Sequence, residues 1–267
     1  MTDWLGLPPL AATHGAQIDS LIGWIHIFMF ILFVGWGAFF AYALIRFRKS
    51  RHPVATYTGV KSHASTYLEG AVLVIELVLL FGFSIPLWAM RVDRLPAESE
   101  ALVVHVTGEQ FAWNIRYAGP DGKFGRTDIK LIDVQTNPLG LDQSDPAAKD
   151  DVTTINQLYL PVNKPIIVKL RSKDVIHSFG VPEFRVKQDA IPGLTIPIWF
   201  VPDVTTEEMR ARTGKPEFQY EIACAQLCGL GHYRMRGFVT VLSPEAFQTW
   251  FDAEQAKLKE AGDPIWR

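Results

Sequence analysis

Two long apolar runs dominate the first third of the chain. The first extends from Leu21 to Ile45 and is broken only by His26; the second extends from Leu68 to Met90 and is broken by Glu69 and Glu76. A helix rises about 1.5 Å per residue, so either run can cross a hydrocarbon layer about 30 Å thick. Helices are expected over about 21–46 and 67–91. One such run could be a buried soluble helix; two in succession point to a membrane hairpin. The first is too long for a secretory signal, and Met1 to Ser20 contains no Lys or Arg to form a basic leader. Between the runs stand Arg46, Arg48, Lys49, Arg51 and Lys61. Positive charge beside a membrane span favours the cytoplasm, which places both termini, and everything after Arg91, on the outer side.

Beyond Arg91 the periodicity changes. Ala101–Thr107, Gln110–Tyr117, Pro165–Arg171, Thr195–Val201, Glu217–Cys224 and Met235–Leu242 are short, rich in Val, Ile and aromatics, and bounded by Gly, Pro and Asp. They read as β-strands of a sandwich or small barrel. Gly119–Thr154 is polar and reads as a long surface excursion. Pro244–Gly262 reads as a helix, with Pro in the first turn after Ser243 and apolar Phe247, Trp250, Phe251 and Leu258. The expected organisation is a two-helix anchor over 1–94 and an all-β domain with a C-terminal helix over 95–267.

Composition adds little to this picture. The net charge of −2 gives no case for nucleic-acid binding. The cysteines change it: there are only two, Cys224 and Cys228, too few and too close for a disulfide scaffold. Between Cys224 and Met235 the chain gathers two thiols, the imidazole of His232 and a thioether; His177 lies far upstream. Thiolate and thioether are soft ligands and imidazole suits copper. A simple disulfide and a zinc site are the bland readings. Met is a poor zinc ligand and the spacing is not that of a finger, and a mononuclear blue-copper site uses one Cys.

These motifs resemble cytochrome c oxidase subunit II along nearly the whole chain. The loop Cys224-Ala225-Gln226-Leu227-Cys228-Gly229-Leu230-Gly231-His232-Tyr233-Arg234-Met235 matches the family's copper loop, His177–Pro182 its first-histidine motif, and Lys187–Gly193 the signature just after it. The resemblance implies a cupredoxin-like β-sandwich carrying a two-copper CuA centre. It implies His177, Cys224, Cys228, His232 and Met235 as side-chain ligands, with Gln226 supplying a backbone carbonyl. It further implies electron transfer from a cytochrome c to a haem of subunit I, where oxygen is reduced, within a bacterial inner-membrane complex of several subunits. No Cys-x2-Cys-His occurs, so no haem is expected on this chain.

The chain departs from the family in places. Gln226 stands where many relatives have a Glu that helps hold magnesium, and an amide is a weaker ligand for a hard cation, which leaves that site open. The family's electron-accepting Trp is Phe111; Trp113, two residues on, is expected to share its face and extend one apolar patch. Asp174 and Asp189 remain as acidic docking residues, while Lys173, Arg116, Lys123 and Arg126 are expected to make the docking surface less acidic. Within the second span, Glu69 matches the family's acidic residue at the mouth of a proton-uptake path; Glu76, seven residues on, has no counterpart. His26 reads as a satisfied interfacial histidine. Two other readings share these ligands: a CuA-containing subunit of a nitric-oxide reductase, and a membrane-tethered copper carrier or assembly factor.

Overall fold

A computed structural model describes residues 3–55, 57–59, 61–133 and 136–261. The chain forms two compact units: Ala16–Met90 with the residues before Pro8, and Arg91–Arg267 with Pro8–Gly15. Helix α1 spans Gly15–Arg46 and helix α2 spans Ala64–Val92, both long and apolar enough to cross a membrane. Around Gly82, α2 widens into a π-helical stretch, Val78–Ser84. The side chains of both helices face outward; Phe33 is 76% and Phe81 62% exposed. Apolar surface on this scale needs an apolar medium or a partner. His26 is satisfied within its own helix, its Nδ1 lying 2.8 Å from the carbonyl of Ile22.

The second unit is a β-sandwich. Its strands are β1 Leu102–Glu109, β2 Ala112–Tyr117, β3 Val152–Ile155, β4 Gln157–Pro161, β5 Ile166–Ser172, β6 His177–Val181, β7 Val186–Ala190, β8 Ile196–Phe200, β9 Tyr220–Cys224 and β10 Arg236–Leu242. One sheet runs β3-β2-β1-β5-β8 and the other β4-β10-β9-β6-β7. The inward residues of both sheets form one core, which includes Trp113, Leu160, Phe179, Phe184, Phe200 and Tyr220. Period-two alternation is clear in β1, where Val104 and Val106 are buried while His105 and Thr107 look outward.

Helix α3, Thr206–Thr213, is closed by a capping box between Thr205 and Glu208 and ends at Gly214, whose φ of +66° suits glycine. Its mostly polar surface gives no hydrophobic period, so pattern reading passes over it. Helix α4, Pro244–Ala261, begins where Ser243 Oγ accepts from the amide of Ala246.

Two expectations need correction. The polar excursion ends earlier than expected, because Val152–Ile155 pairs with β2 as strand β3. The N-terminal segment is not wholly part of the anchor. Ala11 and Ala12 are buried in the β-domain core. The Ala11 amide donates to Glu183 O at 2.9 Å, and Ala11 O accepts from Asp203 at 3.2 Å. Small residues here allow backbone to lie close against backbone, a fit that no hydropathy window registers.

Candidate metal centre

The centre forms where β6 and β9 run side by side. Their antiparallel register pairs Phe179 with Cys224. This brings His177, at the start of β6, alongside the end of β9. The chain then leaves the sheet as a loop and returns through a short 3-10 turn, His232–Arg234, before entering β10. Within this pocket the Nδ1 of His177 and the thiols of Cys224 and Cys228 lie within 4.8 Å of one another.

The donors divide between the two sulfurs. Cys224 Sγ lies 4.0 Å from His177 Nδ1 and 3.3 Å from the carbonyl oxygen of Gln226. Cys228 Sγ lies 3.6 Å from His232 Nδ1 and 3.7 Å from Met235 Sδ. The two sulfurs are 3.8 Å apart and both cysteines are free. His177, Cys228 and Met235 are buried, whereas Cys224 is half-buried. Burial pushes the Cys228 thiol up to about 11, with the neighbouring Cys224 adding to the shift. A partly buried cluster of two thiols, two imidazoles and a thioether fits a soft, thiolate-seeking metal such as copper.

The surroundings hold this set in place. The carboxylate of Asp174 can only accept, so His177 Nε2, 2.8 Å away, carries the proton and donates to it. Nδ1 is thereby left with its lone pair aimed at the thiols. Asp174 also accepts from the amides of Gln110 and Val175, each at 2.7 Å. Partial burial pushes the Asp174 carboxyl up, but these hydrogen bonds outweigh it and leave it below the usual range. Gln110 Nε2 in turn donates to Cys228 O at 2.6 Å. Gly108 is required for close approach, since a Cβ there would fall 2.9 Å from His177 Cδ2. No local pattern assigns a role to Gln110 or Gly108, because only the folded sheet brings them against the loop.

Phe111 and Trp113 do not share a patch. Strand alternation applies only within β2, which begins at Ala112; Phe111 lies in the turn joining β1 to β2. Trp113 is fully buried, its ring edge-on to His177 at 6.0 Å and to Phe179 at 5.8 Å. Phe111 is half-buried over the loop, so that a Cβ at Gly231 would strike its ring. The guanidinium of Arg234 lies 5.9 Å from the same ring. The large apolar side chains exposed on the loop are Leu227, Leu230 and Tyr233, with Leu230 98% exposed.

The expected basic surface is reduced: Lys123 stays exposed, but the other three cations are paired. Arg116 is buried in an ion pair with Asp151 at 2.9 Å, because the excursion after β2 folds over it. Arg126 pairs with Asp142, and Lys173 pairs with Glu109. Asp174 serves His177, and Asp189 is half-buried in β7 opposite Ser178. Glu69 and Glu76 both lie exposed on α2, with no partner among the described residues.

The family model for cytochrome c oxidase subunit II, periplasmic domain, matches residues 102–241. The chain is 34% identical over 249 residues to the alternative cytochrome c oxidase subunit 2 of Bradyrhizobium diazoefficiens, covering 91% of this chain and 82% of that one. It is 29% identical over 268 residues to cytochrome c oxidase subunit 2 of Cereibacter sphaeroides, covering 94% and 80%. The crystal structure of the periplasmic domain of subunit II of cytochrome oxidase from Bradyrhizobium japonicum is 29% identical and covers 62% of this chain and 99% of that one. The two superpose with a TM-score of 0.41. The match across the β-domain, together with a relative more than 30% identical along most of both lengths, shows that the chain belongs to the cytochrome c oxidase subunit II family, the CuA-type electron-input subunit of haem–copper oxidases.

Proposed function

We propose that this chain holds two copper ions and takes electrons from a cytochrome c for delivery to a haem of subunit I, where oxygen is reduced to water. The observation that carries the reading is the pair of free thiols 3.8 Å apart with a separate set of donors beside each. One thiol has His177 and the Gln226 carbonyl as neighbours; the other has His232 and Met235. Together, His177, Cys224, the Gln226 carbonyl, Cys228, His232 and Met235 would hold the two ions. When bound, the copper pair supplies a reversible one-electron couple.

The chain's own residues supply rigidity and exclude water. Asp174 fixes the tautomer and tilt of His177, and Gln110 ties the loop backbone to that same carboxylate. Trp113, Phe179 and Phe111 pack around the ligands, so that little polar solvent has to reorganise when the charge changes. Leu227, Leu230 and Tyr233 offer a donor a flat apolar contact. Magnesium is left outside the reading, because Gln226 brings an amide side chain to that position.

The decisive measurement is the metal content of the purified complex, wild type against Cys224→Ser. Loss of two coppers per chain, together with a mixed-valence visible band, is expected. Loss of a single copper, or the presence of zinc instead, would overturn the reading.

The reading extends to the anchor, with α1 and α2 each crossing a bacterial inner membrane and the β-domain on the outer side. The basic residues between α1 and α2 support that orientation. Glu69, an exposed carboxylate in the first two turns of α2, is proposed to assist proton uptake into subunit I. Glu69→Ala should slow turnover several-fold while leaving copper content unchanged; equal turnover from pH 6 to pH 9 would remove this role. Glu76 is proposed to hydrogen-bond within the complex and support its assembly.

A further inference from the structure

The outward face of the first sheet carries a second polar site, separate from the metal centre. Register places His105 between Arg116 and Lys169, and Thr107 between Asn114 and Arg171. Cross-strand partners share a face, so these side chains form one polar patch across β2, β1 and β5. The excursion after β2 covers part of the patch and leaves a cavity of about 290 Å³. Its lining includes His105, Arg116, Arg171, Lys173, Thr107 and Asp128.

The donors in this cavity outnumber its acceptors. Asp128 is its one carboxylate, and that side chain already accepts from the Lys130 amide at 2.9 Å. Arg116 is held by Asp151, Lys173 by Glu109, and on the same face Lys169 by Glu98 at 2.7 Å. Arg171 is exposed and has no hydrogen-bond or ion-pair partner among the described residues. His105 adds a further donor. Arg116 Nη2 lies 3.2 Å from its Nδ1, and a guanidinium can only donate, so Nδ1 is the acceptor and Nε2 carries the proton. Burial first, then Arg116, Lys169 and Arg171, hold this imidazole neutral, its pKa lowered to about 3. Phe124 stacks on the ring at 3.8 Å and fixes its plane.

From this arrangement we infer that the cavity binds a small multivalent oxyanion, inorganic phosphate or a short polycarboxylate, with Arg171 as its principal anchor. A forked guanidinium beside a fixed N–H donor matches the geometry of such anions. A volume near the lower limit for ligand pockets admits a small anion rather than a nucleotide. The site also backs onto the metal centre. Lys173, in its lining, donates its amide to Gly108 O at 3.0 Å and directly precedes Asp174, which orients His177.

The test is equilibrium binding of inorganic phosphate and of citrate, in separate arms, to the purified detergent-solubilised complex. Chloride at matched ionic strength is the control, and Arg171→Gln is compared with wild type. Arg171 is exposed, so the variant should keep its copper content, which is measured alongside. One site per complex that weakens at least tenfold in Arg171→Gln is expected, with Arg171→Lys intermediate. The arm that binds more tightly identifies the class of anion. Equal binding by wild type and Arg171→Gln in both arms would overturn the inference, as would binding that chloride at matched ionic strength abolishes.

Discussion

The two sides of the metal centre are built on different principles. On the inner side His177, Cys228 and Met235 are buried, held by strands β6 and β10 and by packing against Trp113 and Phe179. On the outer side Cys224 is half-buried, Gln226 is exposed, and Leu227, Leu230 and Tyr233 stand in solvent. The inner side gains rigidity from the core and makes any change costly. The outer side gives up packing and offers a surface to a partner. On the proposed function, one loop thus separates holding the metal from meeting the donor, and substitutions should sort accordingly.

The largest expected effect is on the inner side. Cys228→Ser should abolish the two-copper centre, because a hydroxyl in that buried position is a poor ligand for a soft metal; metal analysis and the visible spectrum would show it. Retention of both coppers would show that the Cys228 sulfur is not needed to hold the metal. Asp174→Ala removes no ligand, yet it frees His177 to rotate and leaves the Gln110 and Val175 amides without their acceptor. Copper retention against a chelator should fall about 10- to 100-fold, the usual cost of losing a carboxylate that orients a ligand histidine.

The third effect is one of pH. Since burial raises the Cys228 thiol to about 11, that sulfur is protonated in the metal-free protein at neutral pH. Metal must displace this proton, so affinity falls as pH falls, about tenfold per pH unit for this one group. Chelator competition at pH 6, 7 and 8 measures the slope, and a flat profile would show that the thiol is already ionised. The smallest effect is on the outer side. Leu230→Ser should leave copper content and fold unchanged and lower kcat/KM for a cytochrome donor by about three- to tenfold, chiefly through lost apolar contact. With Lys173 and Arg126 already paired, that rate should depend only mildly on salt. A steep salt dependence would show that charge, rather than Leu230 and its neighbours, directs docking.

The candidate ligands stood out because two thiols, an imidazole and a thioether crowded into one short loop suit little besides a soft metal, and the structure brings His177 beside Cys224 and Cys228. The strands with strong Val, Ile and aromatic content were legible too, with ends displaced by a residue or a few. The misreadings share a cause. Trp113 was expected beside Phe111 on the surface, but a period of two holds only inside a strand, and the turn at Phe111 resets it. Arg116 was expected to face a donor, but the excursion after β2 covers it, a long-range packing choice that local pattern does not encode.

The two apolar helices, the β character of the chain beyond Arg91 and the candidate ligands of the Cys224–Met235 loop could be read from the chain directly, because each signal comes from residues near one another in it. Only the tertiary structure decided that Asp174 and Gln110 would brace His177 and Cys228, that Ala11 and Ala12 would join the β-domain core, and that one outward face would gather His105, Arg116 and Arg171. Apart from the Asp174–His177 hydrogen bond, which spans three residues, these contacts join segments that are not neighbours in sequence. Their geometry comes from strand register and from the loops that close over the sheet.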